Sequence, residues 1–365
     1  MGESCPLLSS GSCQLCAVSY RPYHEGRAVQ AWLGVLTVSI PRAVIALAAV
    51  DPTADPSTAD VLEQAQLVES GLDALGIPHS TVTVEEGRVW ERAAELTGAV
   101  VCNLLEAPPG RPMLHAAATA ALELLGVPFT GSSAAALWLT TDKLATRGLL
   151  SASGLPVAAG GRLEAAHPSL LENVPPPWIL KPAWEDASVG LEGQPVAATP
   201  ERALARARVL ATRFPDQPIL LEHFLPGREF NVSLLEGEAG VEALPVAEIA
   251  FVDFPAGVPP LVGYEAKWTT GSFEESHTVR RFPGEELSGL LAEVRTLALA
   301  AWSACGLSGY GRVDLRLDEA GLPVILEVNA NPCLSADAGF MAAAFQRGLS
   351  AADVVRRVLR SALQR

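Results

Sequence analysis

The sequence predicts an α/β amino-terminal domain followed by α+β material arranged in two lobes. Three observations carry that prediction. A helix-to-strand punctuation recurs at Gly76-Ile77-Pro78, Gly126-Val127-Pro128 and Gly154-Leu155-Pro156. In each, a left-handed glycine closes a helix, an apolar residue packs back on its last turn, and proline prevents continuation. Ala43–Val50 and Ala99–Leu104 are unbroken apolar runs, the composition of strands buried on both faces of a parallel sheet. Beyond residue 156, strand-like segments follow one another with few helices between them, which is the mark of an antiparallel sheet.

Taken in order, residues 1–41 read as a poorly ordered N-terminal extension. They lack the basic start and clean apolar stretch of a signal peptide, and Pro6 occupies the position where a myristoylation signal needs Ser or Thr. Residues 28–50 carry Gln30, Pro41 and Arg42, too polar a mix for a membrane span. Cys13 and Cys16 have zinc-like spacing, but Cys5 and His24 sit at loose intervals, so these thiols read as incidental. The folded body begins at Arg42. A strand over Ala43–Val50 leads to a helix, with a capping-box pattern at Ser57 and Asp60, that ends at Gly76. Ala99–Leu104 is a second strand and Arg111–Leu125 a further helix. Trp178–Lys181, Pro218–Phe224, Glu229–Leu235 and Ala243–Phe251 read as strands, Glu285–Cys305 as a long helix, and Tyr310–Leu317 with Val324–Asn329 as a hairpin before a C-terminal helix.

Composition narrows the partners. With 26 basic against 41 acidic residues the formal charge is −15, which argues against duplex nucleic acid or anionic lipid as the main partner. Apolar content of 49% and charged content of 18% describe a globular chain. Six cysteines in 365 residues are too few for a disulfide framework and fit a reducing, cytoplasmic setting. Of the 26 basic residues only Lys143, Lys181 and Lys267 are lysine. In a chain that otherwise writes arginine, such lysines mark places where a compact ammonium is wanted and a wide guanidinium does not fit.

The hairpin carries chemistry. With a loop over Glu319–Leu322, residues whose numbers sum to 641 lie opposite, which pairs Asp314 with Glu327 and Arg312 with Asn329 on one face. Two opposed carboxylates weaken a sheet unless a cation lies between them. An all-oxygen donor set of Asp314, Glu327 and Asn329 selects Mg²⁺ or Mn²⁺ over zinc. Arg312 beside it offers a fork for an oxyanion or phosphate. The alternative is a solvated polar face in which Arg312 merely neutralises the acids.

Gly311-Arg312-Val313-Asp314 followed by Leu326-Glu327-Val328-Asn329-Ala330-Asn331-Pro332 resembles the metal hairpin of ATP-grasp ligases, specifically the D-alanine–D-alanine ligases and their relatives. Other segments follow in the family's order: Pro128-Phe129-Thr130-Gly131-Ser132, Thr141-Asp142-Lys143, Ile179-Leu180-Lys181-Pro182, Leu221-Glu222-His223-Phe224-Leu225, Gly227-Arg228-Glu229-Phe230 and Tyr264-Glu265-Ala266-Lys267-Trp268. The resemblance covers about residues 95–360 and implies an ATP-grasp fold, with an N-terminal α/β domain over 42–131, a central lobe over 132–225 and a C-terminal lobe over 226–365. It implies ATP with Mg²⁺ or Mn²⁺ and small amino-acid or peptide substrates, with a homodimer as a further implication. It places Lys143 and Lys181 on the α- and β-phosphates and Lys267 near the γ-phosphate, on a mobile loop. Glu222, Phe224, Leu225 and Leu326 contact the nucleotide and Glu229 its ribose. Asp314, Glu327 and Asn329 hold metal, and Arg312, Lys267 and Ser188 serve catalysis. The implied chemistry is phosphorylation of a carboxylate to an acyl phosphate, then attack by an amine.

The chain departs from the family pattern on the substrate side. Where the phosphate-covering loop usually reads Glu-Gly-Ser-Ser-Val-Gly, this chain has Glu185-Asp186-Ala187-Ser188-Val189-Gly190. Trp268 replaces a tyrosine, Cys333 a glycine, and the glutamate-containing segment that holds the first D-alanine's amine has no counterpart, Asp51–Ser57 standing in its place. Three readings remain: a ligase for another acid and amine, a genuine D-alanine–D-alanine ligase, and a non-catalytic ATP-binding regulatory or scaffold protein.

Overall fold

The computed structural model describes residues 40–49, 56–85, 87–108, 110–164 and 168–364. The N-terminal cysteines, most of the expected extension and most of Asp51–Ser57 lie outside these residues. The expected first strand is present as β1 (Ala43–Ala48), flanked in parallel by β2 (His79–Val84) and β3 (Val100–Leu104) in the order β2-β1-β3. The helix between β1 and β2 runs Pro56–Ala74, so it begins ahead of Ser57, and the side chain of that expected cap lies outside the described residues.

All three punctuation glycines are left-handed, with φ of 66°, 66° and 74° at Gly76, Gly126 and Gly154. At each, the amide of the following apolar residue reaches back to a carbonyl of the last helical turn: Ile77 to Leu72 at 3.0 Å, Val127 to Leu122 at 3.4 Å, and Leu155 to Leu150 at 2.9 Å. That bond satisfies a terminal carbonyl and turns the chain toward the sheet.

The remaining strands form two sheets. The first contains β4 (Gly160–Leu163), β5 (Trp178–Pro182), β6 (Val196–Ala197) and β7 (Ile219–His223), in the order β4-β7-β5-β6, all antiparallel. The second contains β8 (Glu229–Gly237), β9 (Gly240–Ala243), β10 (Ala247–Phe251), β11 (Thr278–Arg281), β12 (Tyr310–Leu317) and β13 (Pro323–Asn329). Its order is β11-β10-β8-β12-β13, with β9 on β8. The single strand expected over Ala243–Phe251 is therefore two, because Pro245 cannot donate to a ladder and interrupts it.

A helix the sequence reading did not single out, Pro200–Arg213, packs on the first of these sheets through Ala203, Ala207 and Leu210. Its signals were present: Thr199 accepts from the Arg202 amide and Pro200 opens the first turn. Tyr264–Trp268, expected as a loop, forms a short turn of helix.

The C-terminal helix, Ala351–Leu363, returns to the first sheet. Val354, Val355, Val358 and Leu359 share one core with Ala43, Ile45, Val61, Val68 and Leu72. The approach is close, since a Cβ on Gly71 would stand 2.6 Å from Val355 Cγ2. Each such buried side chain contributes about 1.5–3 kcal/mol of transfer free energy, so this helix is fixed against β1 and the Pro56–Ala74 helix. A second core joins the largest sheet to helix Ser288–Cys305 and to Leu137 and Leu150. Among the described residues no helix is long and apolar enough to cross a membrane.

Candidate functional site

The hairpin pairs Arg312 with Asn329, Val313 with Val328, and Asp314 with Glu327, as the sequence reading expected. The ladder reaches that register by another route. The connection spans Asp318–Leu322, with Asp318 Oδ1 accepting from the amides of Ala320 at 2.9 Å and Leu322 at 2.8 Å. Leu317 therefore pairs with Pro323 and Leu315 with Ile325, and the register shifts between Asp314 and Leu315. Leu326 is the extra residue, a bulge. Had the ladder run on regularly through Leu326, Asp314 would face Leu326 and Glu327 would lie on the opposite side of the sheet.

Each carboxylate of the pair has a counter-charge. Arg312 grips Asp314 with two bonds, Nε to Oδ1 at 2.7 Å and the second nitrogen to Oδ2 at 2.8 Å. Asn231, directly opposite on β8, donates to Asp314 Oδ1 at 2.9 Å. Lys143 Nζ lies 3.1 Å from Glu327 Oε1 and 3.1 Å from Asp186 Oδ1, and donates to the Glu185 carbonyl at 2.5 Å. Lys143 thus links the hairpin to the loop over 185–190. Burial alone would raise the Glu327 carboxyl, but Lys143, then Lys181 and Lys267, draw its pKa down to about 2. Burial opposes the charge of Lys143 in the same way, and Glu327 and Asp186 outweigh it, so its pKa rises.

On the nucleotide side, Lys181 Nζ is 2.9 Å from Glu222 Oε2, and Arg147 Nε donates to Glu222 Oε1 at 3.3 Å. Phe224 and Leu225 are buried, with the Phe224 amide donating to the Pro177 carbonyl at 2.8 Å. Both nitrogens of the His223 imidazole are engaged, Nδ1 2.9 Å from the Pro175 carbonyl and Nε2 2.7 Å from Glu319 Oε1. Glu229 pairs with Arg316 at 3.3 Å, and burial raises its carboxyl against the pull of Arg316. Arg316 also donates to the Gly227 and Pro260 carbonyls and lies over the rings of Phe224 and Phe251. One cleft between the sheets is lined by Lys143, Arg147, Glu222, Leu326 and Glu327.

The substrate side is built from two loops. Ala187 and Ser188 both adopt positive φ, 53° and 65°, a conformation that costs a side-chain-bearing residue about 1–2 kcal/mol. Ser188 Oγ donates to the Val262 carbonyl at 2.8 Å, and Trp268 Nε1 donates to the Ala187 carbonyl at 2.9 Å. Lys267 is exposed in the cleft and has no carboxylate within 4 Å among the described residues. Desolvation by the surrounding walls, then the Arg312 guanidinium, lower its pKa. Beyond the hairpin, Asn331 Nδ2 donates to Glu106 Oε1 at 3.3 Å while Asn331 Oδ1 accepts from the Tyr310 hydroxyl at 3.0 Å. Burial, then the charges of Asp186 and Asp60, push the Glu106 carboxyl up to about 8, and burial lowers His115 to about 4. Cys333 has Ser335 Oγ at 3.0 Å, and burial pushes its thiol up to about 12, which leaves it a poor nucleophile.

The oxygen-only set of Asp314, Glu327 and Asn329 fits a hard divalent cation in ligand chemistry and in register. The sequence reading missed Arg147, Asn231, Arg316 and Glu106. Arg147 stands four residues after Lys143 and Arg316 two after Asp314, spacings that share a face on a helix and on a strand. Asn231 and Glu106 reach the site only through tertiary pairing.

Comparison with known proteins bears on the family and the fold. A family model described as the D-Ala–D-Ala ligase C-terminus matches residues 159–360. An uncharacterised protein, y4sG, of Sinorhizobium fredii is 32% identical over 264 residues, covering 72% of this chain and 74% of that protein. A D-alanine–D-alanine ligase of Gluconobacter oxydans is 33% identical over 267 residues, covering 73% and 81%. One from Bordetella avium is 32% identical over 246 residues, covering 66% and 72%. The fold matches the crystal structure of the Bacillus anthracis D-alanine–D-alanine ligase complexed with ATP, with a TM-score of 0.69 and 17% identity over 89% of this chain and 98% of that one.

Proposed function

The chain belongs to the D-alanine–D-alanine ligase family of ATP-grasp proteins, and from that membership we propose an ADP-forming ligase that joins a carboxylate to an amine other than the pair of two D-alanines. One observation carries the reading: Asp314 and Glu327 face each other across the acidic hairpin, and Lys143 Nζ stands 3.1 Å from Glu327. A scaffold that only sensed ATP has no need of that pairing, or of Arg312 beside it.

In this reading Lys143 and Lys181 hold the α- and β-phosphates and Lys267 approaches the γ-phosphate. Glu222, Phe224, Leu225 and Leu326 seat the base, and Glu229 takes the ribose. Asp314, Glu327 and Asn329 would hold Mg²⁺ or Mn²⁺, which neutralises phosphate charge during transfer. A substrate carboxylate oxygen attacks the γ-phosphorus and ADP leaves. The amine then attacks the acyl carbon and phosphate leaves. Arg312 steadies the oxyanion of the tetrahedral intermediate, worth about 3 kcal/mol by analogy with other oxyanion donors. Ser188 orders the loop over the transferring group. The division into 42–131, 132–225 and 226–365, cytoplasmic residence and a homodimer belong to the same reading.

The altered substrate pair rests on Ala187, Trp268 and Cys333. A site without a substrate-directed hydroxyl loses the discrimination that buried hydrogen bonds supply. The names of the Gluconobacter and Bordetella relatives favour the second reading, a genuine D-alanine–D-alanine ligase. Phosphate release with MgATP across a panel of amino acids and dipeptides, followed by mass analysis of products, separates the two. Efficient D-alanyl-D-alanine formation with no better pair would overturn the proposal, and amino-acid-independent behaviour would leave only ATP binding.

A further inference from the structure

Glu222 is held by two cations at once. Its Oε2 faces Lys181 Nζ at 2.9 Å and its Oε1 accepts from Arg147 Nε at 3.3 Å, and the three side chains are 7%, 14% and 17% exposed respectively. Arg147 is itself fixed from outside the triad. Its terminal nitrogens donate to the carbonyls of Gly160, at 2.8 Å, and Ala158. The strand carrying Gly160 is pressed on Glu222, since a Cβ at Gly160 would lie 2.7 Å from the Glu222 Cα. The guanidinium therefore cannot swing away, whereas Lys181 is held by one ion pair alone among the described contacts.

We propose that Arg147 is a positioning residue for nucleotide binding: it neutralises Glu222 so that Lys181 can leave that carboxylate for the triphosphate. The inference rests on the assignment of Lys181 to phosphate given above. The physical ground is asymmetric compensation. A carboxylate this buried must keep a partner. With Arg147 present, Lys181 can be withdrawn while Glu222 remains charge-compensated and aimed at the base pocket. Without Arg147, every phosphate contact made by Lys181 strips the only counter-charge from a buried acid, and Lys181 stays where it is.

The test is direct titration of MgATP into the full-length protein by calorimetry, which needs no turnover. Arg147→Gln is expected to weaken ATP binding on the order of 10- to 100-fold, with a smaller change in kcat than in KM for ATP. Arg147→Lys, which keeps the charge but not the fork, is expected to fall between. The discriminating variant is R147Q/E222Q. Removing the acid releases Lys181, so the double variant is expected to bind ATP more tightly than R147Q alone, an interaction that non-additivity exposes. A role confined to bracing the Ala158 and Gly160 carbonyls would not be rescued by E222Q. Thermal melts of each variant separate loss of fold from loss of affinity. Parent-like affinity in R147Q, or a double variant no better than R147Q, would overturn the proposal. A parent that binds no ATP would overturn the nucleotide assignment and this inference together.

Discussion

Trp268 and Ala187 are bonded to each other, the indole Nε1–H donating to the Ala187 carbonyl at 2.9 Å. These are two of the positions at which the sequence leaves the family pattern. The small residue at 187 has no hydroxyl to offer, and the large one at 268 takes up the backbone carbonyl beside it. Together with the Ser188 bond to Val262, this fastens the loop over 185–190 to the segment 262–268 by backbone acceptors.

Replacing Trp268 with Phe keeps the ring and deletes the donor. The Ala187 carbonyl then loses its partner, and the two positive-φ residues lose one of the contacts that hold them. Amide exchange across 185–190 is expected to accelerate several-fold and KM for ATP to rise, with little change in melting temperature. Unchanged exchange in this loop would show that the Ser188 and Lys143 contacts suffice to secure it.

Lys181→Arg is expected to weaken ATP binding at least about tenfold while the fold persists, because a planar fork does not occupy a point-charge site. The geometry adds a reason: an arginine at 181 would take both oxygens of Glu222, which Lys181 now meets with one nitrogen. Calorimetric titration with MgATP checks it, and parent-like affinity would remove Lys181 from the phosphate site.

Glu327→Gln removes one charge from the hairpin pair and the main attraction on Lys143. The Mg²⁺ concentration for half-maximal turnover is expected to rise on the order of tenfold, with a smaller effect on nucleotide affinity. Identical metal titrations for parent and variant would rule out Glu327 as a ligand.

Glu106 supplies a pH dependence of stability whose sign is fixed by its raised pKa of about 8. The unfolded carboxyl titrates near the ordinary value of about 4.3. Between those two pH values the folded state holds a proton that the unfolded state has lost, so this group's contribution is fullest below about pH 4 and declines until pH 8. Glu106→Gln should therefore gain on the parent by an amount of order 1 kcal/mol between pH 5 and pH 8. Parallel denaturation curves at both pH values would refute it.

Much of this site was legible without coordinates, for reasons that differ by residue. Lys143, Lys181 and Lys267 stood out because arginine supplies the other basic positions. The Asp314–Glu327 pair was found through two misreadings that cancel. The turn is five residues long where four were expected, and Leu326 adds a compensating residue before Glu327. Strand alternation cannot show a bulge, because the pattern on either side of it is intact. Arg147 and Arg316 had the right spacing but looked like ordinary surface arginines. Glu106 and Asn231 had no local signal, since what places them is a strand pairing and a loop contact with residues far along the chain.

The bulge at Leu326 divides the hairpin into two stretches of unequal tolerance to insertion and deletion. A loop residue gained or lost within 318–322 changes the connection while the segments 312–314 and 327–329 remain anchored, by β8 on one side and by Lys143 on the other. Loss of Leu326 itself leaves a regular ladder with Glu327 still opposite Asp314, whereas loss of Val328 changes overall composition as little yet moves Asn329 to the other face of the strand end. Reading-frame-preserving lesions a few nucleotides apart in such a gene would therefore differ in outcome, with parity rather than chemistry deciding between them.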